Sequence, residues 1–437
     1  MAYSAVTFGQ LVTELSNRLY DPTNQFWSVA ELQQRLSDAL RAWNIATAQN
    51  QQWYSLSVSN TGNAPWYDLQ TLAGSPRLCT LYDTDIYSRL QYMLLESQQA
   101  DAAVLTSQFT SNMLVQAVQA KRDEFLFRTS TTRTVRNLNV TPNTSTVSLP
   151  GTVIQVERAY WMPKQGNTAY PLYRTDQFSR AAFYPTAGQT ASSPVVYSSG
   201  IEPPLTMEIT PPPGVNGTVE ALTIETQAAL SATSPTLLYL PDDFVPAIAW
   251  GALADLLDTN SEASDPQRAD YARKRFEMYC ELVSGYPFVM GARVNGVDVM
   301  VESVEALDIY NPVWRTPVVT QPIVAFAGQN LICYPTTSNV NIAVLVNGSA
   351  NLPVVSGDYI QLGAEAIDAV LDLAQHEAQF KQGFYETNST MNLFKNFLNI
   401  AAKKNAKIAS LSTYKDFIYG NLNVAEKLFA PTEVTSG

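Results

Sequence analysis

Between Thr134 and Leu240 the sequence leaves a helical period for a strand one, and that change limits the fold more than any motif does. The alternating runs TVRNLNV, VIQVERAYW, LTMEIT and VEALTIET fill this stretch. Pro142, Pro150-Gly151, Pro203-Pro204 and Pro211-Pro212-Pro213-Gly214 punctuate them. Alternation between such breakers reads as half-buried strands. On both sides apolar residues recur every three to four positions, the spacing of an amphipathic helix. The expected class is α+β: a helical bundle with an inserted antiparallel β domain, followed by a C-terminal β-rich region that ends in helices. The boundaries read as residues 1–133 for the N-terminal helical part, 134–240 for the β-rich insert and 241–285 for the closing helices. Residues 286–357 read as a β-rich extension and 358–437 as C-terminal helices and tail.

The N-terminus is the most legible part. Phe8, Leu11, Val12, Leu15 and Leu19 form one apolar stripe, Thr7 and Gln10 have capping-box spacing, and Tyr20-Asp21-Pro22 ends the helix. Ser28 with Glu31 predicts a second capping box, opening a helix with inner face Leu32, Leu36, Ala39, Leu40 and Trp43. Phe26 and Trp27, in the connecting DPTNQFW, are expected to plug the open end of this αα-hairpin. A strand is expected over 53–58, and helices over about 84–97 and 107–127, the latter facing inward with Phe109, Met113, Ala117 and Phe125. In LPDDFVPAIAWGALADLLD, Asp242 or Asp243 reads as the N-cap, with Pro246 in the first turn. A partner helix is expected over about 265–282, with Pro266 at its start, and further helices over about 358–381, 391–404 and 415–428. A shift of 115 residues lays Asp358-Tyr359-Ile360 on Asp243-Phe244-Val245, an echo that any strand-to-capped-helix junction also produces.

Composition removes several function classes. One histidine, His376, cannot supply the two or three imidazoles of a His-ligated metal centre. His376 itself, in LAQHEAQFK, reads as a solvated helical side chain. Cys79, Cys280 and Cys333 lack paired spacing, so a disulfide framework is not expected. Neither nucleotide-binding glycine fingerprint occurs, GxSxG is absent, and no calcium-loop pattern supports Asp242-Asp243 or Asp255/Asp258 as ligands. No catalytic, cofactor or metal residue is nominated, and no secretory signal or membrane span is expected. A net charge of −12 disfavours a free nucleic-acid binder. Charged residues make up only 15% of the chain, and 137–156, 181–201 and 316–357 carry none. Together with 22 Tyr, 17 Phe and 7 Trp, this fits a surface partly covered by other protein, and equally a simple Ser/Thr/Asn-rich β-protein. The basic concentration is late: Lys395, Lys403, Lys404, Lys407 and Lys415 edge a helix whose other face is Phe394, Phe397, Leu398 and Ala401.

Two stretches carry a resemblance. The opening TFGQLVTELSNRLYDPTNQFWSVAELQQRLSDALRAWNIAT with PWYDL, and the run from PVVYSSG through LLYLPDDFVPAIAWGALADLLDTNSEASDPQRADYARKRFEMY, resemble head-to-tail adaptor (connector, or neck) proteins of tailed bacteriophages. The resemblance covers roughly residues 1–284, loosely over 72–136. It implies a non-enzymatic virion protein assembled as a cyclic homo-oligomer of twelve copies, docked under the phage portal protein, meeting tail or nozzle proteins and extending the DNA channel. Contact with passing DNA would be transient, and no membrane or cofactor is implied. The location implied is the virion neck, after synthesis in the host bacterial cytoplasm. Candidate interface residues are Phe26, Trp27, Lys403, Lys404 and Lys407, with Leu428 and Phe429 in the tail as a portal-docking plug. The alternative class is a virion host-recognition or carbohydrate-binding tail protein, a trimer or monomer. A wall hydrolase would need a carboxylate pair that no pattern nominates.

Overall fold

The computed structural model describes residues 6–58, 66–69, 81–94, 109–164, 168–183, 191–200, 205–231, 234–259, 264–284, 286, 288–312, 314–315, 321–334, 340–348, 350, 352–353 and 355–409. Within them the chain is mixed α+β, with two seven-stranded sheets and helices that pack chiefly on one another. Helix α1 (Phe8–Arg18) starts with the reciprocal Thr7–Gln10 capping box and buries Phe8, Leu11, Val12 and Leu15. Helix α2 (Val29–Thr47) is N-capped by Ser28, but Glu31 does not close the second box; its carboxylate instead accepts from Lys381 Nζ at 2.9 Å.

Helix α2 is buried nearly all round, although its pattern predicts one apolar face. The polar face is buried because charged partners come to meet it. Asp38 accepts from Arg41 and from Arg89 on α3 (Asp83–Met93), each at 3.0 Å. Burial raises the Asp38 carboxyl, and the Arg89 and Arg41 guanidiniums outweigh it, leaving the group below the usual carboxylate range. Helix α4 (Ser111–Thr129) faces inward with Leu114, Val118, Phe125 and Leu126, turned from the Met113/Ala117 stripe expected. Arg122, fully buried on it, donates to the Ala228 carbonyl at 3.0 Å.

Strands β3 (Arg133–Val140), β4 (Thr146–Ser148), β5 (Val153–Pro163), β6 (Tyr170–Arg174), β7 (Val196–Ser199), β8 (Thr206–Thr210) and β9 (Gly217–Glu225) form a sheet in the order β3-β9-β5-β6-β7-β8-β4. The β6–β7 pair is parallel, so the sheet is not wholly antiparallel as expected. Parallel neighbours need a crossover, and the short helix α5 (Gln177–Phe183) supplies part of it.

The helices then resume. Asp242 and Asp243 form a 3-10 turn with Phe244, ahead of α6 (Val245–Leu257). Neither aspartate caps its own helix, contrary to the sequence reading. Asp243 accepts from Asn44 Nδ2 at 2.6 Å and from the Ala350 N–H, while Asp242 accepts from the Leu81 N–H at 3.0 Å. Helix α6 is apolar on every side and correspondingly buried. It packs on α7 (Pro266–Val283), which Asp265 caps with Pro266 at its start.

The other sheet is collected from distant parts of the chain. Strands β1 (Gln51–Val58) and β2 (Tyr67–Asp68) join β10 (Val289–Val294), β11 (Val297–Ser303), β12 (Ile323–Ala327), β13 (Asn330–Tyr334) and β14 (Val340–Asn347) in the order β1-β14-β10-β11-β12-β13-β2. Its parallel pair, β11–β12, is again bridged by a short helix, α8 (Val304–Tyr310). Helices α9 (Ala364–Gln379), α10 (Phe384–Ser389) and α11 (Met391–Ala409) follow, and α9 and α11 pack on α2. Leu32, Phe244, Leu371 and Phe394 thus belong to one continuous core. Helix α9 begins at Ala364, four residues after the 115-residue shift would place the equivalent of Val245.

Candidate interaction surfaces

The loop between α1 and α2 is held by Asp21, whose carboxylate accepts the N–H groups of Gln25, Phe26 and Trp27 at 2.8–3.0 Å. The Trp27 N–H above all lowers its pKa. The loop separates the two aromatics that the sequence pairs. Trp27 is 2% exposed and donates through Nε1 to the Ala378 carbonyl at 3.2 Å, pinning the loop to α9. Phe26 packs edge-on against it, 4.6 Å between centroids, and stays 43% exposed. Lys381 lies 4.6 Å from the Phe26 ring and donates to the Phe26 carbonyl.

Helix α11 is divided as its pattern predicts. Phe394, Phe397, Leu398 and Ala401 are buried, while Lys403, Lys404 and Lys407 are exposed. Asn405, between the lysines, turns inward and donates to the Ala46 carbonyl at 3.1 Å. Leu428 and Phe429 lie outside the described residues.

The α5 crossover presents an aromatic surface that the candidate list lacks. Asp176 caps α5 through the N–H and hydroxyl of Ser179, and Arg180 pairs with Glu208 on β8. These bonds fix the helix with Phe178 89% exposed. Tyr170, Tyr173 and Val195 are also exposed, and Tyr173 and Val195 are joined by a 2.9 Å backbone bond. The sequence signal was the charge-free run 181–201; the crossover that displays its neighbours was not visible in it.

The α8 crossover is anchored on one face, while Ile309 and Tyr310 at its end are exposed. Val304 and Leu307 are buried, and Asp308 accepts from Arg158 (3.0 Å) and Tyr160 (2.7 Å) of the opposite sheet and from Trp314 Nε1 (2.9 Å). Burial and then Asp308 raise the Tyr160 phenol well above its ordinary pKa, so it is a neutral donor. Beside it Arg315 and Glu220 form a pair about 95% buried, 2.6 Å apart, with Tyr160 5.0 Å from the guanidinium. Arg133 bridges Glu157 and Glu305 across the same joint. Sequence reasoning missed all of these: apart from Asp308–Trp314 and Arg133–Glu157, each pair spans 95 residues or more.

His376 is buried, not solvated. Thr390 donates its hydroxyl to helical carbonyls, so it accepts from His376 Nδ1 at 2.9 Å, and Nε2 accepts from Tyr271 at 2.6 Å. Burial, then Arg275, lowers the imidazole to about 3. The neutral ring joins α7 to α9 and the start of α11. Cys280 and Cys333 are buried thiols pushed up to about 12 and about 11 by burial. Among the described residues no three His, Cys, Asp or Glu side chains gather into a metal site, and no helix is long and apolar enough to cross a membrane.

Residues 88–282 match the family model described as SU10 adaptor protein. Over that span the chain is similar to structural phage head–tail adaptors. The match contains the second of the two stretches that carry the sequence resemblance, together with β3–β9 and α6–α7, and excludes the N-terminal stretch. No curated protein matches the chain.

Proposed function

We propose that the chain is a non-enzymatic subunit of a phage neck: an adaptor that closes into a ring, joins the portal to tail proteins and lengthens the channel through which DNA leaves. The family match over residues 88–282 carries this reading. The α5 crossover within it supports the reading, since exposed aromatics with few charges are the composition of interface cores. Twelve copies is the ring order proposed. A net charge of −12 suits a conduit that releases DNA, with Lys403, Lys404 and Lys407 limiting contact to brief, non-specific encounters. Residues 1–133, 134–240, 241–285, 286–357 and 358–437 are proposed as its working divisions, and the segment containing Leu428 and Phe429 as the portal contact.

Light scattering coupled to size exclusion, with and without portal, tests the reading. A large closed oligomer, alone or once portal is added, is expected. A stable trimer would favour host recognition, and a monomer indifferent to portal would overturn the adaptor reading. Within the loop, Trp27→Ala should cost about 3–5 kcal/mol as a buried-aromatic truncation. Phe26→Ala should leave melting nearly unchanged while weakening assembly; unchanged assembly would remove Phe26 from the interface. Full portal docking after deletion of the residues past Ala425 would remove the tail from it.

A further inference from the structure

We propose that β1 and β3 are the two halves of one head-to-tail contact, in which the open edge of β1 in one copy adds alongside the open edge of β3 in the next. The inference rests on the ring reading and names the surfaces that close the ring. Both strands are eight residues long, and among the described residues each ends its sheet with a neighbour on one side only. Such an edge presents a row of N–H and C=O groups ready for another strand.

Which groups face outward follows from the ladders. The Arg133 carbonyl accepts from Asn330 Nδ2 at 2.6 Å and therefore points away from β9. Antiparallel ladders alternate, so Val135, Asn137 and Asn139 also turn outward. On β1, the Gly348 N–H donates to the Asn50 carbonyl at 3.0 Å, so the even-numbered residues face β14 and Gln51, Trp53 and Ser55 face outward. Among the described residues no backbone group pairs with Val135, Asn137, Asn139, Trp53 or Ser55 on that side.

The placement of the two edges makes the contact heterologous. β2 and β13, at one end of their sheet, lie against β3; β1 ends the same sheet six strand spacings away, about 29 Å measured along the sheet. Two different complementary edges on one chain make a heterologous contact, which generates a ring when the rotation closes. A cleft of about 490 Å³ at the Arg133 end of β3 points to the same occupant. Trp66 Nε1, Thr132 Oγ1 and Gln329 Oε1 line it, buried and without hydrogen-bond partners among the described residues. They are a donor, a hydroxyl and an acceptor. The overhanging end of an incoming strand offers both donor and acceptor to satisfy them.

Proline at an outward-facing position removes no ladder bond yet blocks strand addition. Asn137 and Ser55 are both exposed and outward-facing, so Asn137→Pro and Ser55→Pro in the full chain should each stay folded and fail to assemble, with the association constant down at least tenfold. Mixed one to one, they should form a complex of two chains and no larger, because only one edge pair remains between them. Amide exchange on the wild-type chain gives a readout free of mutation: Val135, Asn137, Trp53 and Ser55 should slow at least tenfold on assembly. An assembled wild type with unslowed edges, or variants that assemble normally, would overturn this contact and leave the ring standing. A wild type that stays monomeric with portal present would overturn both.

Discussion

The two sheets share a plan and use it in opposite ways. Each has seven strands and one parallel pair, and each bridges that pair with a seven-residue helix. The sheet of β3–β9 comes from one continuous stretch, lies within the family-matched span, and leaves its crossover α5 outside with Phe178 in solvent. The sheet of β1, β2 and β10–β14 is gathered from both ends of the chain and turns its crossover α8 into the joint, where Asp308 holds Arg158, Tyr160 and Trp314. Both crossovers expose large apolar side chains, but α8 is tied down by a buried charged cluster and α5 by an ion pair at the surface.

The largest expected effect tests that contrast directly. Arg315→Ala leaves Glu220 buried without its cation, and removing one member of such a pair costs about 3–5 kcal/mol. Arg180→Ala cuts the ion pair that holds α5, whose side chains are 24% and 30% exposed, and should cost at most about 1 kcal/mol. Thermal or urea unfolding of the two variants measures the difference. Equal losses would mean that both crossovers are equally built into the fold.

Acid should separate the helical layer from the β3–β9 sheet. His376 has a folded pKa of about 3 against 6.5 unfolded, so its contribution is full above pH 6.5 and is lost as the pH falls towards 3. The loss is at most about 1.4 kcal/mol per pH unit for one proton. Asp243 runs the other way: burial raises it to about 6, so its penalty eases as the pH falls from 6 towards 3.8. In the β3–β9 sheet, burial raises Glu225, and Arg136, Thr223 and Thr152 more than offset it. Glu225 therefore stabilises above pH 4.5 and loses that contribution as the pH falls through its lowered folded pKa. Between pH 6.5 and 4.5, His376→Asn should lie below wild type in stability by a gap that narrows with acid, while local opening in β3–β9, read as amide protection relative to the intrinsic exchange rate at each pH, stays unchanged. A pH-independent gap would mean that His376 does not titrate.

The sequence showed what is local. The Thr7–Gln10 box, the Pro266 helix start, the α11 stripe and the strand texture that begins at Thr134 depend on neighbours a few positions apart, and the periodicity reports those directly. The β10–β11 hairpin was missed although its turn carries Asn295-Gly296, a standard tight-turn pair. The buried charges were out of reach. Arg35, Asp38 and Arg41 sit on the polar stripe of α2 and read as solvated until Arg89 and the neighbouring helices cover them. Nor does alternation alone place β1 beside β14, almost 290 residues later.

The smallest expected effect on stability is the most informative about the exposed crossover. Phe178 is 89% exposed, so Phe178→Ser removes little buried area and should change unfolding by no more than about 0.5 kcal/mol. In the assembled chain the same ring would be covered, and aromatic anchors at the centre of an interface typically cost 2 kcal/mol or more when truncated. That is roughly a thirtyfold loss of affinity at the contact, read by light scattering across a dilution series. A variant that is as stable as wild type and assembles weakly would assign α5 to a partner. One that is stable and assembles normally would make the exposed aromatic face a bystander and return the whole burden of association to the strand edges and the Phe26 loop.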